Sequence, residues 1–278
     1  MKFLKIFLLV LMVFLAYSCQ SPGLVDLPPS FISIVEGPAE GAMLKNDHVY
    51  FKWKGSSNDY KFKYELQILD EDNVVKSYDT TTAYGDITEQ FFSNLDEGKY
   101  IFTVWGKSGS LEQKITRHFT INSITTPTLL FFKKDNNLKV NDSFYLLIKN
   151  ENIDSLLAFR VVITFDPQIV QFVSVEKTQF VSHKNFDELV LPDSLLMNST
   201  TPFSQRINKF GKIEIYTAFL SRNQNQMSIK GTGSLLKLNF RAVARGESFV
   251  EFTKVELVNE NYKVLNAVNY GQAHILVQ

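Results

Sequence analysis

Cysteine is nearly absent: Cys19 is the only one in 278 residues. No disulfide can form within the chain, so any folded unit must hold by its own core. Net charge is absent too, with 29 basic and 29 acidic residues dispersed along the sequence. Without a basic stripe there is no electrostatic footprint of a nucleic-acid binder, and no nucleic-acid partner is expected. Histidine is scarce. His48, His118, His183 and His274 stand in separate segments, without the paired spacing of a zinc site, so each reads as a structural or surface residue and neither metal nor cofactor is expected. His183 and Asp187 lie four apart, but no Gly-x-Ser-x-Gly turn accompanies them, which leaves a hydrolase triad unsupported. Asp70-Glu71-Asp72-Asn73 opens like a calcium loop, yet Val75 occupies the place of the sharp-turn glycine, and the stretch reads as a hairpin turn. Collagen-like, Gln/Asn-rich and heptad tracts are missing. With no catalytic constellation in view, the chain reads as a non-enzyme.

The amino end carries Lys2 and Lys5, an apolar run over residues 6–16, then Tyr17-Ser18-Cys19. The run is shorter than the ~20 residues that a permanent membrane helix needs, so residues 1–18 read as a cleaved signal peptide. A small residue before cysteine resembles the lipobox of bacterial lipoproteins, in which the cysteine is lipidated and becomes the first mature residue. That resemblance gives the unpaired Cys19 a role as lipidation site and membrane contact, and favours an outer-membrane or cell-surface location; the alternative is an ordinary secretory leader with an incidental cysteine. Residues 19–30, with Pro22, Gly23, Pro28 and Pro29, cannot bury enough apolar surface to order and read as a tether.

Residues 31–122 show short strands by alternation. Val49, Phe51 and Trp53 alternate with Tyr50, Lys52 and Lys54, and Phe62, Tyr64, Leu66 and Ile68 with Lys61, Lys63, Glu65 and Gln67. One face is buried and the other wet. Roughly seven such strands in about ninety residues is sandwich spacing. The stretch Leu95-Asp96-Glu97-Gly98-Lys99-Tyr100, followed by Phe102 and Val104, resembles the late strands of fibronectin type III and immunoglobulin-like domains, with Tyr100 at the place of a tyrosine corner. Trp105 points away from Phe102 and Val104 and reads as edge packing, with sugar stacking the less favoured use. Residues 123–127, ending at Pro127, read as a linker.

Residues 128–278 hold the most informative pair of segments. Leu157, Phe159, Val161, Ile163 and Phe165 alternate and end at Asp166-Pro167, since proline has no ladder donor. Later, Gly231-Thr232-Gly233-Ser234-Leu235 leads into Leu236, Leu238, Phe240 and Ala242, alternating with Lys237, Asn239 and Arg241. This pair resembles the cohesin domain, with Phe165 replacing the tyrosine of that family's Tyr-Asp-Pro. Val140-Asn141-Asp142 resembles its valine-glycine-aspartate turn, Asn141 being a residue that tolerates the left-handed region. Gly211 to Ala218 matches a central strand and Ala244-Arg245-Gly246-Glu247-Ser248 a late turn, whereas residues 179–210 read as irregular where a family strand belongs.

The resemblance implies an all-β chain of two sandwiches, the second a nine-stranded jelly roll related to carbohydrate-binding modules, which grips a dockerin through one flat sheet face and catalyses nothing. The outward positions on the matching strands are Arg160, Val162 and Thr164; Glu214, Tyr216 and Ala218; and Glu251 and Thr253. These form the expected partner-binding face, tyrosine and arginine being common interface anchors. The expected function is therefore a lipid-anchored surface protein that binds a dockerin-bearing, polysaccharide-degrading enzyme. Direct glycan binding and a structural envelope or adhesion role stand as alternatives.

Overall fold

The computed structural model describes residues 31–69, 75–153, 155–178, 180, 186–189, 208–221, 228–265 and 269–278. The expected signal peptide, Cys19, the tether, the Asp70–Asn73 turn and His183 lie outside the described residues. Those described are almost wholly β, and no helix among them is long and apolar enough to cross a membrane.

The first sandwich is built from β1 (Ile32–Glu36), β2 (Ala42–Leu44), β3 (Val49–Gly55), β4 (Lys61–Leu69), β5 (Val75–Thr80), β6 (Glu89–Phe92), β7 (Gly98–Ser108) and β8 (Leu111–Ile121). They pair as a β1-β3-β6 sheet and a β2-β8-β7-β4-β5 sheet. Alternation sends Phe51, Trp53, Leu66, Ile68, Tyr100, Phe102 and Val104 into the core. The rings of Phe51 and Phe102 stack at 3.9 Å across the two layers. The Tyr100 hydroxyl donates to the Asp96 carbonyl at 3.0 Å, the bond of a tyrosine corner. Trp105 does point outward, but the Lys63 ammonium sits 5.1 Å from its ring centroid, so the surface aromatic is already engaged.

The second sandwich follows with β9 (Thr128–Phe132), β10 (Asp135–Leu138), β11 (Ser143–Glu151), β12 (Leu156–Thr164), β13 (Val170–Lys177), β14 (Phe186–Leu189), β15 (Lys212–Ser221), β16 (Gly233–Ala242), β17 (Gly246–Asn259), β18 (Val264–Leu265), β19 (Asn269–Tyr270) and β20 (Gln272–Val277). One layer runs β10-β20-β17-β12-β15-β14, with β18 beside β17; the other runs β13-β16-β11-β9-β19. The expected alternating set from β12 and β16 meets between the layers except at Leu157, whose place in the core is taken by Leu156; between the layers Phe240 packs against the rings of Phe144, Phe165 and Phe172. β14 interrupts the stretch read as irregular, pairing antiparallel with β15.

Two local features fix strand ends, one joining the turn before β11 to the end of β16 and one at the end of β12. Asn141 takes φ 76°, as its type allows, and its N–H donates to the Ala242 carbonyl. Gly211 takes φ 61° where Phe165 ends β12; a Cβ there would meet the Phe165 carbonyl oxygen at 2.3 Å, so the close approach needs glycine. The two sandwiches are not separate in packing, because Phe132 and Leu147 of the second are buried within the core cluster of the first.

Candidate functional site

Strands β12, β15 and β17 lie side by side, and register fixes which side chains share their outer face. Val161 and Ile163 enter the core, so Arg160, Val162 and Thr164 turn outward. Across β15, Arg160 pairs with Tyr216, Val162 with Glu214 and Thr164 with Lys212; across β17 the partners are Glu256, Lys254 and Glu251.

Arg160 is the centre of this face. Its Nε donates to Glu214 at 3.0 Å, its Nη2 reaches the same carboxylate, and its Nη1 donates to Glu256 at 3.2 Å. The guanidinium carbon lies 4.9 Å from the Tyr216 ring centroid, while the Tyr216 hydroxyl donates to Glu214. Lys254 closes the cluster, 2.9 Å from Glu256. A guanidinium held by two carboxylates and a ring is pre-set in orientation, which lowers the ordering cost of a later contact. The Tyr216 hydroxyl, and after it Arg160, hold the Glu214 carboxyl below the usual glutamate range. Lys254 and Arg160 do the same for Glu256. The bond to Glu214 in turn pushes the Tyr216 phenol up.

Of the expected face residues, Arg160, Glu214 and Tyr216 come together, and Tyr216 remains 40 % exposed. Thr164 and Glu251 form the next row, with a 3.4 Å hydroxyl–carboxylate contact, and Ala218 lies opposite Ala158 at the other end. Two expectations change. Val162 faces outward but is only 6 % exposed, so it offers little surface; it lies between the longer side chains of Lys254 and Glu214, whose stems can cover it. Thr253 is exposed but has no register partner. It is the extra residue of a β-bulge between the Val162 and Ile163 rows, its hydroxyl donating to the Val162 carbonyl at 3.2 Å.

The same bulge brings Lys254 and Glu256 onto the face, which strict alternation from Glu251 would turn inward. The signal was in the sequence: Phe252 and Leu257 are both buried yet five residues apart, a spacing that two-residue alternation cannot produce. Further along the same outer face, Phe249 stacks on His274 at 5.2 Å. His274 Nε2 lies 2.6 Å from Glu247, and Nδ1 lies 3.3 Å from Asp135. Among the described residues no group of three or more His, Cys, Asp or Glu side chains could hold a metal ion.

Residues 130–264 match the model of the cohesin domain family. The second sandwich carries a cohesin domain. Cohesin domains are non-catalytic protein-interaction modules, and no curated protein matches the sequence. Solved structures similar to the chain include a type I cohesin–dockerin complex from Clostridium thermocellum, at 15 % identity over 56 % of this chain and 98 % of that one, with a TM-score of 0.42. A type II cohesin domain from the cellulosome of Acetivibrio cellulolyticus shows 15 % identity over 54 % and 95 %, with a TM-score of 0.43. A non-cellulosomal cohesin from the archaeon Archaeoglobus fulgidus shows 12 % identity over 55 % and 92 %, with a TM-score of 0.41.

Proposed function

We propose that this protein is a lipid-anchored surface receptor whose cohesin domain binds a dockerin-like module through the outer face of β12, β15 and β17. The observation that carries the reading is the Arg160 cluster: an arginine, a tyrosine and two carboxylates, pre-oriented on a flat sheet inside a cohesin-family match. Such a face suits a protein partner with complementary charges, since its directed polar groups surround a half-exposed ring. Lipid on Cys19 would hold the chain at the envelope, and the first sandwich, read as fibronectin- or immunoglobulin-like, would lift the cohesin domain from the membrane. The partner would be a polysaccharide-degrading enzyme, so that the degrading activity sits at the cell surface.

Direct glycan binding is the less favoured use of the same face. A sugar platform needs free ring faces, and Arg160 already lies over the Tyr216 ring. An array of plant and bacterial glycans probed with the full chain separates the two readings. No retained glycan is expected; a glycan whose retention is lost in Tyr216→Ala would replace the protein reading by the glycan one.

A further inference from the structure

The sandwiches meet at the turn between β6 and β7, where two acidic residues are buried: Asp96 is 1 % exposed and Glu97 7 %. A carboxylate is rarely buried so deeply unless its oxygens are satisfied, and here partners from beyond the first sandwich join Tyr78 within it. Asp96 accepts the backbone N–H of Lys134 at 3.1 Å. Glu97 accepts the N–H of Ser123 at 2.9 Å, that of Ile124 at 3.2 Å and the Ser123 hydroxyl. In return the Lys134 ammonium donates to the Leu95 carbonyl at 3.0 Å, and the Asn152 side chain to the Ile124 carbonyl at 2.8 Å. Residues 123 and 124, within the stretch that reads as a linker, are thus pinned from both sides.

Apolar and cation–π contacts close the same junction. Phe132 and Leu147 fill the first sandwich's core cluster with Tyr145 packed beside them. The Lys76 ammonium lies 3.5 Å from the Tyr145 ring centroid, and that of Lys133 lies 4.6 Å from Tyr78. We infer that the two sandwiches are one rigid body, latched by Asp96 and Glu97. Burial of Asp96 also makes the junction sensitive to pH. The rigidity stands on these contacts alone; only its consequence, a binding face presented at a fixed angle, rests on the partner reading.

The sense of the pH effect follows from the groups around Asp96. Tyr78 on β5 and Tyr100 on β7 face it from the first sandwich, beside its neighbour Glu97. From the second come Lys133, Lys134 and Asp135 around β9 and β10, and Lys149 on β11, itself 3.2 Å from Glu151. Burial outweighs the pull of Lys134, Lys133 and Lys149 and pushes the Asp96 carboxyl up to about 6 from 3.8. An acid whose value is raised by burial takes up a proton more readily when buried, so burial of Asp96 at the junction is favoured as pH falls through 6. Glu151, also raised by burial, acts in the same sense. Lys133, lowered by burial and countered by Asp96, Asp135 and Asp79, acts in the opposite one, so Asp96→Asn isolates the share of Asp96.

Hydrogen exchange of the full chain, without any partner and corrected for intrinsic rates, tests the latch. The amides of Ser123 and Ile124 are expected to be protected in the parent and more so at pH 5 than at pH 7. Glu97→Ala is expected to lower that protection ~10-fold or more while β7 and β11 stay protected. Asp96→Asn is expected to abolish most of the difference between pH 5 and pH 7. Unprotected amides at Ser123 and Ile124 in the parent, beside protected β7 and β11, would overturn the rigid body. Should Glu97→Ala unfold either sandwich, Glu97→Gln takes its place, and unchanged protection there overturns the role of Glu97. A pH difference that persists in full in Asp96→Asn overturns the role of Asp96.

Discussion

Arg160 reaches the solvent side of its sheet already bound to two carboxylates, and its energetic role differs from that of a free surface arginine. Within the fold it contributes little, because partly exposed ion pairs are screened by water and salt. Across an interface the same side chain is pre-oriented, so its loss should be felt in binding more than in stability. Arg160→Ala combined with Tyr216→Ala is expected to weaken partner binding ~30-fold or more in titration calorimetry, with melting almost unchanged. Arg160→Lys should rescue poorly, since one ammonium cannot reproduce a bridge from Nε and Nη2 to Glu214 and from Nη1 to Glu256. Acid sensitivity follows from Glu214, whose carboxyl lies below the usual range because Tyr216 and Arg160 stabilise its charge. A depressed value means that the contribution is present above the ordinary glutamate range and lost only as pH falls through the lower, folded value. The part of binding that depends on Glu214 should therefore stay level from pH 7 to pH 5 and decline under more acidic conditions, which affinity measured against pH will show.

At the scale of elements, the strands of both sandwiches could be read from alternation, because burying one face of a sheet forces period two on Phe51, Trp53, Phe102, Phe159, Val161, Leu238 and Phe240. Where the chain departs from that period, so does the reading. An irregularity between Leu156 and Ala158 puts Leu156 in the core and leaves Leu157 half-buried, and the bulge at Thr253 reverses the parity of β17. A local insertion of this kind is set by packing across the sandwich, so only the mis-spaced pair Phe252 and Leu257 betrays it. Deleting Thr253 should restore strict alternation with Lys254 and Glu256 still outward and Val255 and Leu257 inward, so the second sandwich is expected to stay folded by circular dichroism and calorimetry. Gly211→Ala combines a left-handed backbone with a contact to the Phe165 carbonyl oxygen, and is expected to cost about 2 kcal/mol or more by denaturant titration. Phe240→Ala, which removes a ring meeting three others, should cost about 3–5 kcal/mol.

For the whole molecule, two cores are joined by a packed junction at the stretch that reads as a linker. The sequence signs of the junction were faint, because Asp96, Glu97, Lys149 and Glu151 have the composition of a wet surface and become interior only when the sandwiches meet. The outward placement of Arg160, Glu214 and Tyr216, by contrast, was legible, since alternation holds from Phe159 to Ile163 and from Ile213 to Thr217. This face of the cohesin domain is proposed to hold a dockerin-like partner. The most direct test is capture from the source's own secreted and envelope proteins, with the full chain and its Arg160→Ala, Tyr216→Ala double variant as baits, with and without calcium chelator. Recovery of a dockerin-bearing, glycan-degrading enzyme by the parent is expected, lost on chelation and strongly reduced with the variant. Equal recovery by both baits, or no dockerin-bearing protein on a bait shown to be folded, would contradict it.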